Sequence, residues 1–254
     1  VKGGFMRILI LSDVHANPWA LRAVEEDAGP VDRILFGGDA VNYGPDPVGS
    51  IEWLDAHGVV GVRGNHDHAV AFAVDPKASP AKEPLAMAMR DWTRDQLNPV
   101  QAGWLLKLPR HLDCHVGGAK FALVHGTPVD SLYDYRLQPD ISDSLLEELV
   151  GQTKADVLVV GHTHLPLHRS LKALQIVNPG SVGQPLDGDP RAAYAIWEDG
   201  SIELKRVDYD RFQLFSAIAH LPLSPDHIDD LIYTVEHGRM ASTAMKGGRR
   251  ESLV

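Results

Sequence analysis

The chain has 254 residues, 44% of them hydrophobic and 23% charged, which sets aside disordered and fibrous classes and allows a core that needs neither disulfide nor metal staples. Its formal charge of -10 offers no general attraction for a nucleic-acid backbone, and no apolar run approaches the ~20 residues that span a bilayer. A single cysteine, Cys114, removes thiolate metal clusters and suits a reducing cytoplasm, so any metal ligand must be His, Asp, Asn or Glu.

Met6 reads as the natural start, because the VKGGF stretch before it is too short and too weakly charged for a signal peptide. From Arg7 to Ser12 the sequence is an apolar β-type run. Asn17-Pro18 then supplies an N-cap and a first helical residue for a helix through about Asp27. The pattern repeats with a strand at Arg33 to Phe36, a Gly- and Pro-rich loop, a helix at Val48 to Ala56 and a strand at Val59 to Val62. Strand, loop, helix, strand predicts a parallel sheet with right-handed crossovers. From about 67 to 109 the periodicity is helical, with Leu85, Met87, Met89, Trp92, Trp104 and Leu105 as core candidates, and reads as an insertion beside the sheet. Strands are expected at Phe121 to His125, Val157 to His162, Leu174 to Val177, Ala193 to Trp197 and Ser201 to Val207, with a helix at Ser142 to Val150 and an Asp199-Gly200 hairpin turn. Two helices, about Tyr209 to Ala219 and Pro225 to Glu236, form a C-terminal extension over 209–241, followed by a tail from Ser242 expected to be disordered.

Five polar clusters occupy loops, and four directly follow an apolar strand: Asp13-Val14-His15, Gly38-Asp39, Gly64-Asn65-His66-Asp67, His125-Gly126 and Gly161-His162-Thr163-His164. The crevice at the carboxyl ends of strands in an open α/β sheet is where ligands bind. Side chains at i and i+2 in extended backbone project to one side, so Asp13 with His15, and His162 with His164, are expected to converge from extended segments. The neighbouring glycines permit tight turns and close backbone approach.

In this order the clusters SDVH, GGD, GNHD, VHG and GHTH resemble the motif series of the calcineurin-like metallophosphoesterases, over residues from about Met6 to Asp208. The segments GPDP and NPGSVGQP and the terminal helix pair are similar to the small bacterial and archaeal phosphodiesterase-like branch. The resemblance implies an α/β fold, a four-layer αββα sandwich of two mixed β-sheets flanked by helices. It assigns Asp13, His15, Asp39 and His164 to one metal and Asp39, Asn65, His125 and His162 to a second, with Asp39 bridging. The cofactor expected is a pair of divalent transition metals, Mn, Fe, Zn, Ni or Co, with Mn best placed to support activity.

The activity implied is hydrolysis of phosphodiesters or phosphomonoesters by a hydroxide bridging the two ions, with His66 assisting the leaving group. Arg63 is a candidate phosphate contact. Related Ser/Thr phosphatases and dinucleoside polyphosphate hydrolases carry Arg in GDxxxRG, where this chain has Tyr43, and the phosphatases have Asp where Asn42 stands. Asn42 can still orient His66, but without a carboxylate's charge. Small phosphorylated substrates therefore rank first, with those two activities as alternatives and a non-catalytic metal-binding scaffold or a single-metal hydrolase further behind. A homo-oligomer is left open, as is the task of the C-terminal helices, which could cap the sandwich, cover the cleft or form a dimer contact. His57, His68, His111, His115 and His168 match no motif position, Asn178 and Ser181 read as structural, and Cys114 as an inert buried residue.

Overall fold

The computed structural model describes residues 6–241. The tail expected from Ser242 lies outside the described residues. The chain opens with β1 (Arg7–Leu11), α1 (Pro18–Ala28), β2 (Arg33–Phe36), α2 (Pro47–Ala56) and the very short β3 (Val60–Gly61). Asn17 caps α1 by accepting from Ala20 N, and Asp46 caps α2 by accepting from Gly49 N; a proline follows each cap. Three helices come next, α3 (Asn65–Phe72), α4 (Glu83–Gln96) and α5 (Pro99–Lys107). Then follow β4 (His111–Val116), β5 (Ala119–Val124), α6 (Asp143–Val150), β6 (Val157–Val159), β7 (Leu167–Leu171), β8 (Leu174–Asn178), β9 (Ala192–Glu198) and β10 (Ser201–Val207). The helices α7 (Phe212–Ala219) and α8 (Pro225–His237) close the described chain.

The strands form two five-stranded mixed sheets, ordered β10-β9-β1-β2-β3 and β4-β5-β6-β8-β7. Pairing is parallel through β1, β2 and β3 and through β5, β6 and β8, and antiparallel toward the edges. The central strands are buried on both faces, which is why they read as unbroken apolar runs rather than alternating ones. On β1, Ile8 and Ile10 meet Phe121, Leu123, Val157 and Val159 between the sheets. Leu9 and Leu11 face the opposite way and pack with Leu21, Val24, Ile51 and Leu54 of α1 and α2. On the far side Ala122, Val124, Leu158 and Ile176 take Leu146, Leu149 and Val150 of α6. Helix, sheet, sheet, helix is thus the layer order, as the resemblance implied.

Two strands escape the sequence reading, β4 and β7. They are the two edges of the second sheet, and none of the β4 residues is fully buried. An edge strand with one wet face carries polar residues such as His111, Asp113 and His115, so its apolar signal is weak. Cys114 sits on β4 and is half-buried rather than buried. The C-terminal pair α7 and α8 packs Leu214, Ile218, Leu231 and Val235 against Leu85, Ala86 and Met89 of α4 and against Tyr43. It therefore walls one side of the crevice at the strand ends.

Candidate metal centre

The five loops at the carboxyl ends of β1, β2, β3, β5 and β6 are tied to one another through their backbones. Asp13 N donates to Gly38 O at 2.9 Å, His15 N to Asp39 O at 3.0 Å and Gly161 N to His125 O at 2.8 Å. His162 N donates to Asp13 Oδ1 at 3.1 Å. The convergence expected of Asp13 with His15 and of His162 with His164 is present, but its cause differs from extended backbone. Asp13, His15, Asp39, His162 and His164 all have positive φ, between 47° and 70°. Left-handed turns, each strained by roughly 1–3 kcal/mol for a non-glycine residue, aim these side chains inward. The loops also interlock closely: a Cβ on Gly64 would lie 2.0 Å from Asp39 Oδ1, and one on Gly161 2.0 Å from Ser12 Oγ.

The hydrogen bonds fix the tautomers. A backbone carbonyl can only accept, so the ring nitrogen facing it must carry the proton. Nδ1 of His15 faces Val41 O at 3.2 Å, Nδ1 of His125 faces Gly37 O at 2.8 Å and Nδ1 of His164 faces Gln184 O at 2.6 Å. Each neutral ring is left with a lone pair on Nε2. His15 Nε2 and His164 Nε2 then stand 3.0 Å apart, with Asp13 Oδ1 3.4 Å from the latter. His125 Nε2 lies 3.1 Å from both Asp39 Oδ2 and Asn65 Oδ1. Asn65 is oriented by donating Nδ2 to Pro76 O, which turns Oδ1 also toward His162 Nδ1 at 3.0 Å. Asp39 Oδ2 is buried and makes no hydrogen bond of acceptable geometry among the described residues; it stands 3.9 Å from His15 Nε2, between the two groups.

The Nε2 atoms of neutral His15, His125 and His164 are thus acceptors pointed at other acceptors. Neutral protein groups cannot satisfy such an arrangement, and a cation can. The donor set fits divalent metals in two adjoining positions: Asp13, His15 and His164 converge on one, and Asp39 and His125 on the other, with Asp13 also near the second. Electrostatics agree. Burial pushes the Asp13 carboxyl up to about 7 and the His15 ring down to about 3. Burial also opposes charge on His125, yet Asp39 and Asp13 outweigh it and raise that ring to about 9. Without metal, a proton on His125 is the cation the cluster takes.

His66 lies beside this cluster, its ring centroid 5.3 Å from that of His15 and 4.7 Å from that of Tyr43. Asn42 Nδ2 donates to His66 Nδ1 at 2.7 Å, while Asn42 Oδ1 accepts from Tyr43 N. The orienting contact expected of Asn42 is therefore made, and it leaves the neutral ring's proton on Nε2. Arg63 leads into the loop that carries Asn65. Its guanidinium covers the Phe72 ring and donates toward Leu106 O, on the helical side of the loop. Asn178 donates to Gly161 O and Ser181 to Asp13 O, holding loops rather than facing the cluster. His57, His111 and His168 pair with Glu25, Asp113 and Gln175 at the surface.

Three residues that the sequence reading passed over shape the site. Asp67, quoted only as part of GNHD, accepts from the backbone N–H groups of Asp39, Ala40, Val41 and Gly64, and so fastens the Asp39 loop to the Asn65 loop. Tyr135 stacks on His162 with centroids 3.6 Å apart. Lys82, just before α4, holds its ammonium over the Tyr43 ring at 5.1 Å and donates to Gln184 Oε1 at 3.3 Å. Asp67 was discoverable from its place after Asn65-His66; nothing local distinguishes Tyr135 or Lys82 from surface residues.

Known proteins bear on this arrangement. Residues 6–199 match the calcineurin-like phosphoesterase superfamily domain. A metallophosphoesterase from Sphaerobacter thermophilus shares the fold with a TM-score of 0.75 and 32% identity, over 91% of this chain and 100% of that one. The protein MJ0912 of Methanocaldococcus jannaschii is 31% identical over 230 residues, 80% of this chain and 88% of its own. The phosphodiesterase YfcE of Escherichia coli is 27% identical over 235 residues, 87% of this chain and 100% of its own. A family domain that takes in every loop of the cluster accounts for both the fold and the convergent acceptors: the chain belongs to the calcineurin-like phosphoesterase superfamily and is a phosphoester hydrolase.

Proposed function

We propose that the protein hydrolyses small phosphodiesters or phosphomonoesters at a binuclear centre held by Asp13, His15, Asp39, Asn65, His125, His162 and His164. The observation that carries this reading is the set of tautomer-fixed Nε2 lone pairs aimed at Asp13, Asp39 and Asn65. Asp39, whose Oδ2 stands between His15 and His125, would hold both ions in common. Two divalent transition ions, with manganese first among Mn, Fe, Zn, Ni and Co, would supply the charge that activates water and offsets the negative phosphoryl oxygens. About four added positive charges outweigh locally the acidic balance of the chain.

The protein's own groups set what happens around that charge. Asp67 and the interlocked loops hold the ligands in place, so little reorganisation is needed when substrate arrives. His66, fixed by Asn42 with its proton on Nε2, would donate that proton to the leaving oxygen of a substrate bound at the cluster. Tyr43 is buried against His15 and His66 and narrows the crevice. That supports small esters ahead of phosphoproteins or dinucleoside polyphosphates. The relative YfcE, a phosphodiesterase, points the same way. The lone cysteine supports a reducing cytoplasm, and the acidic balance a small-molecule partner rather than nucleic acid.

The test is to strip the protein of metal, restore Mn, Fe, Zn, Ni and Co separately, and assay phosphodiesters, phosphomonoesters, cyclic nucleotides and phosphopeptides. Metal-dependent turnover of small esters is expected, and rates on phosphopeptides far above those on diesters would overturn the ranking.

A further inference from the structure

Lys82 is a cation that the reading above leaves without a task. It is half-buried, at the turn that starts α4, and its ammonium lies inside the wall made by Tyr43, Gln184 and the C-terminal helices. One N–H goes to Gln184 Oε1, on the residue whose main-chain oxygen accepts from His164 Nδ1. The Tyr43 ring beneath it is the ring that packs edge-on against His15 and tilts against His66. The ammonium therefore stands one side chain away from His15 and His66 through Tyr43, and from His164 through Gln184. The groups facing it are Tyr43, Gln184, those three histidines and Asp230 of α8. Taking an ammonium out of water is costly without a strong partner, and the one carboxylate among these groups belongs to the helical wall. Burial accordingly pushes Lys82 down to about 8.

We infer that Lys82 is a substrate-binding residue that takes a terminal oxygen of a phosphomonoester, and so makes this a site suited to monoesters. The inference rests on the hydrolase reading above. A monoester dianion has three non-bridging oxygens, whereas a diester has two and a single charge, so a cation set back from the cluster has an additional oxygen to meet only in the monoester. Lysine provides a compact, mobile point charge on a flexible stem, suited to reaching an oxygen that arrives with the substrate.

The competing explanation is that Lys82 is only a clasp between α4 and Asp230. The experiment uses manganese-loaded protein and the matched pair p-nitrophenyl phosphate and bis-p-nitrophenyl phosphate, which share a leaving group. Inorganic phosphate binding is followed by calorimetry alongside. Lys82→Met is expected to lower kcat/KM for the monoester by about ten- to hundredfold, the worth of one charged hydrogen bond. The diester should lose about threefold or less. Phosphate affinity should fall in parallel with the monoester rate, and Lys82→Arg should restore part of both.

Asp230→Asn, which removes the clasp and keeps the ammonium, should leave phosphate affinity intact. Equal losses on the two esters, unaltered phosphate affinity in Lys82→Met, or an Asp230→Asn variant that reproduces Lys82→Met would overturn the inference. A wild-type protein inert toward both esters would instead sink the hydrolase reading, and phosphate affinity lost with Lys82→Met would still establish the anion site.

Discussion

Converging lone pairs make stability depend on metal in a way that can be sized. At a free metal concentration a hundredfold above Kd, one site adds about 2.7 kcal/mol to the folded state. Unfolding entropy near 60 °C is about 2.1 cal/mol/K per residue, or roughly 0.5 kcal/mol/K over 254 residues. One site then raises Tm by about 5 °C and two independent sites by about 10 °C. Asp39→Asn is the informative perturbation. In the wild type, Asp39 Oδ1 accepts from His66 N at 2.9 Å and Oδ2 faces His125 Nε2 at 3.1 Å. Asparagine can keep the first contact through its carbonyl, but it removes the carboxylate that holds the proton on His125 in the metal-free fold. The metal-free variant should therefore melt below metal-free wild type, by up to about 5 °C at pH 7. Its response to manganese should also fall below about 2 °C, because the carboxylate proposed to serve both positions is gone. Differential scanning calorimetry of the two proteins, each with and without manganese, gives all four values. If Asp39→Asn keeps the full manganese shift, or wild type shows none, the acceptor cluster is not a metal site.

Other consequences follow from the same geometry. His125 is raised from 6.5 to about 9 in the metal-free fold. Its proton stabilises that fold below pH 6.5, and the benefit fades as pH rises toward 9, so the manganese-induced Tm shift should widen over this window. Calorimetry in buffers of different ionisation enthalpy should show about one proton released per protein loaded at pH 8, and more toward pH 7, where Asp13 is also partly protonated. Asp67→Asn loses a carboxylate that accepts four backbone N–H groups. A cost of about 3 kcal/mol, or roughly 6 °C in Tm, is expected by thermal melting, together with weaker metal binding. His66→Ala should lower kcat by about 10²–10⁴ while elemental analysis finds metal content unaltered; metal loss would reassign His66.

How much was legible in the sequence depended on where each residue stands. The central strands announce themselves because burial on both faces forces unbroken apolar runs such as Ile8 to Leu11. The edge strands β4 and β7 do not, since a strand with one wet face shares its composition with a loop. The ligand loops could be read because chemistry restricts the residues that serve there, and their order along the chain follows the order of the strands they terminate.

The path by which those side chains converge could not be read in the same way. Asp13, His15, His162 and His164 reach the cluster from left-handed turns, a conformation disfavoured for these residue types and stabilised by partners far along the chain. Asn42 carries a local signal, its place after Asp39, whereas Lys82 and Tyr135 reach the crevice only because α4 and the loop after β5 fold back over it. The proposed metal ligands and His66 are thus carried by short-range pattern, whereas Lys82 and Tyr135 come to the crevice by long-range packing. That division predicts where relatives with the same five clusters differ: in the turn before α4 that carries Lys82 and in the loop after β5 that carries Tyr135.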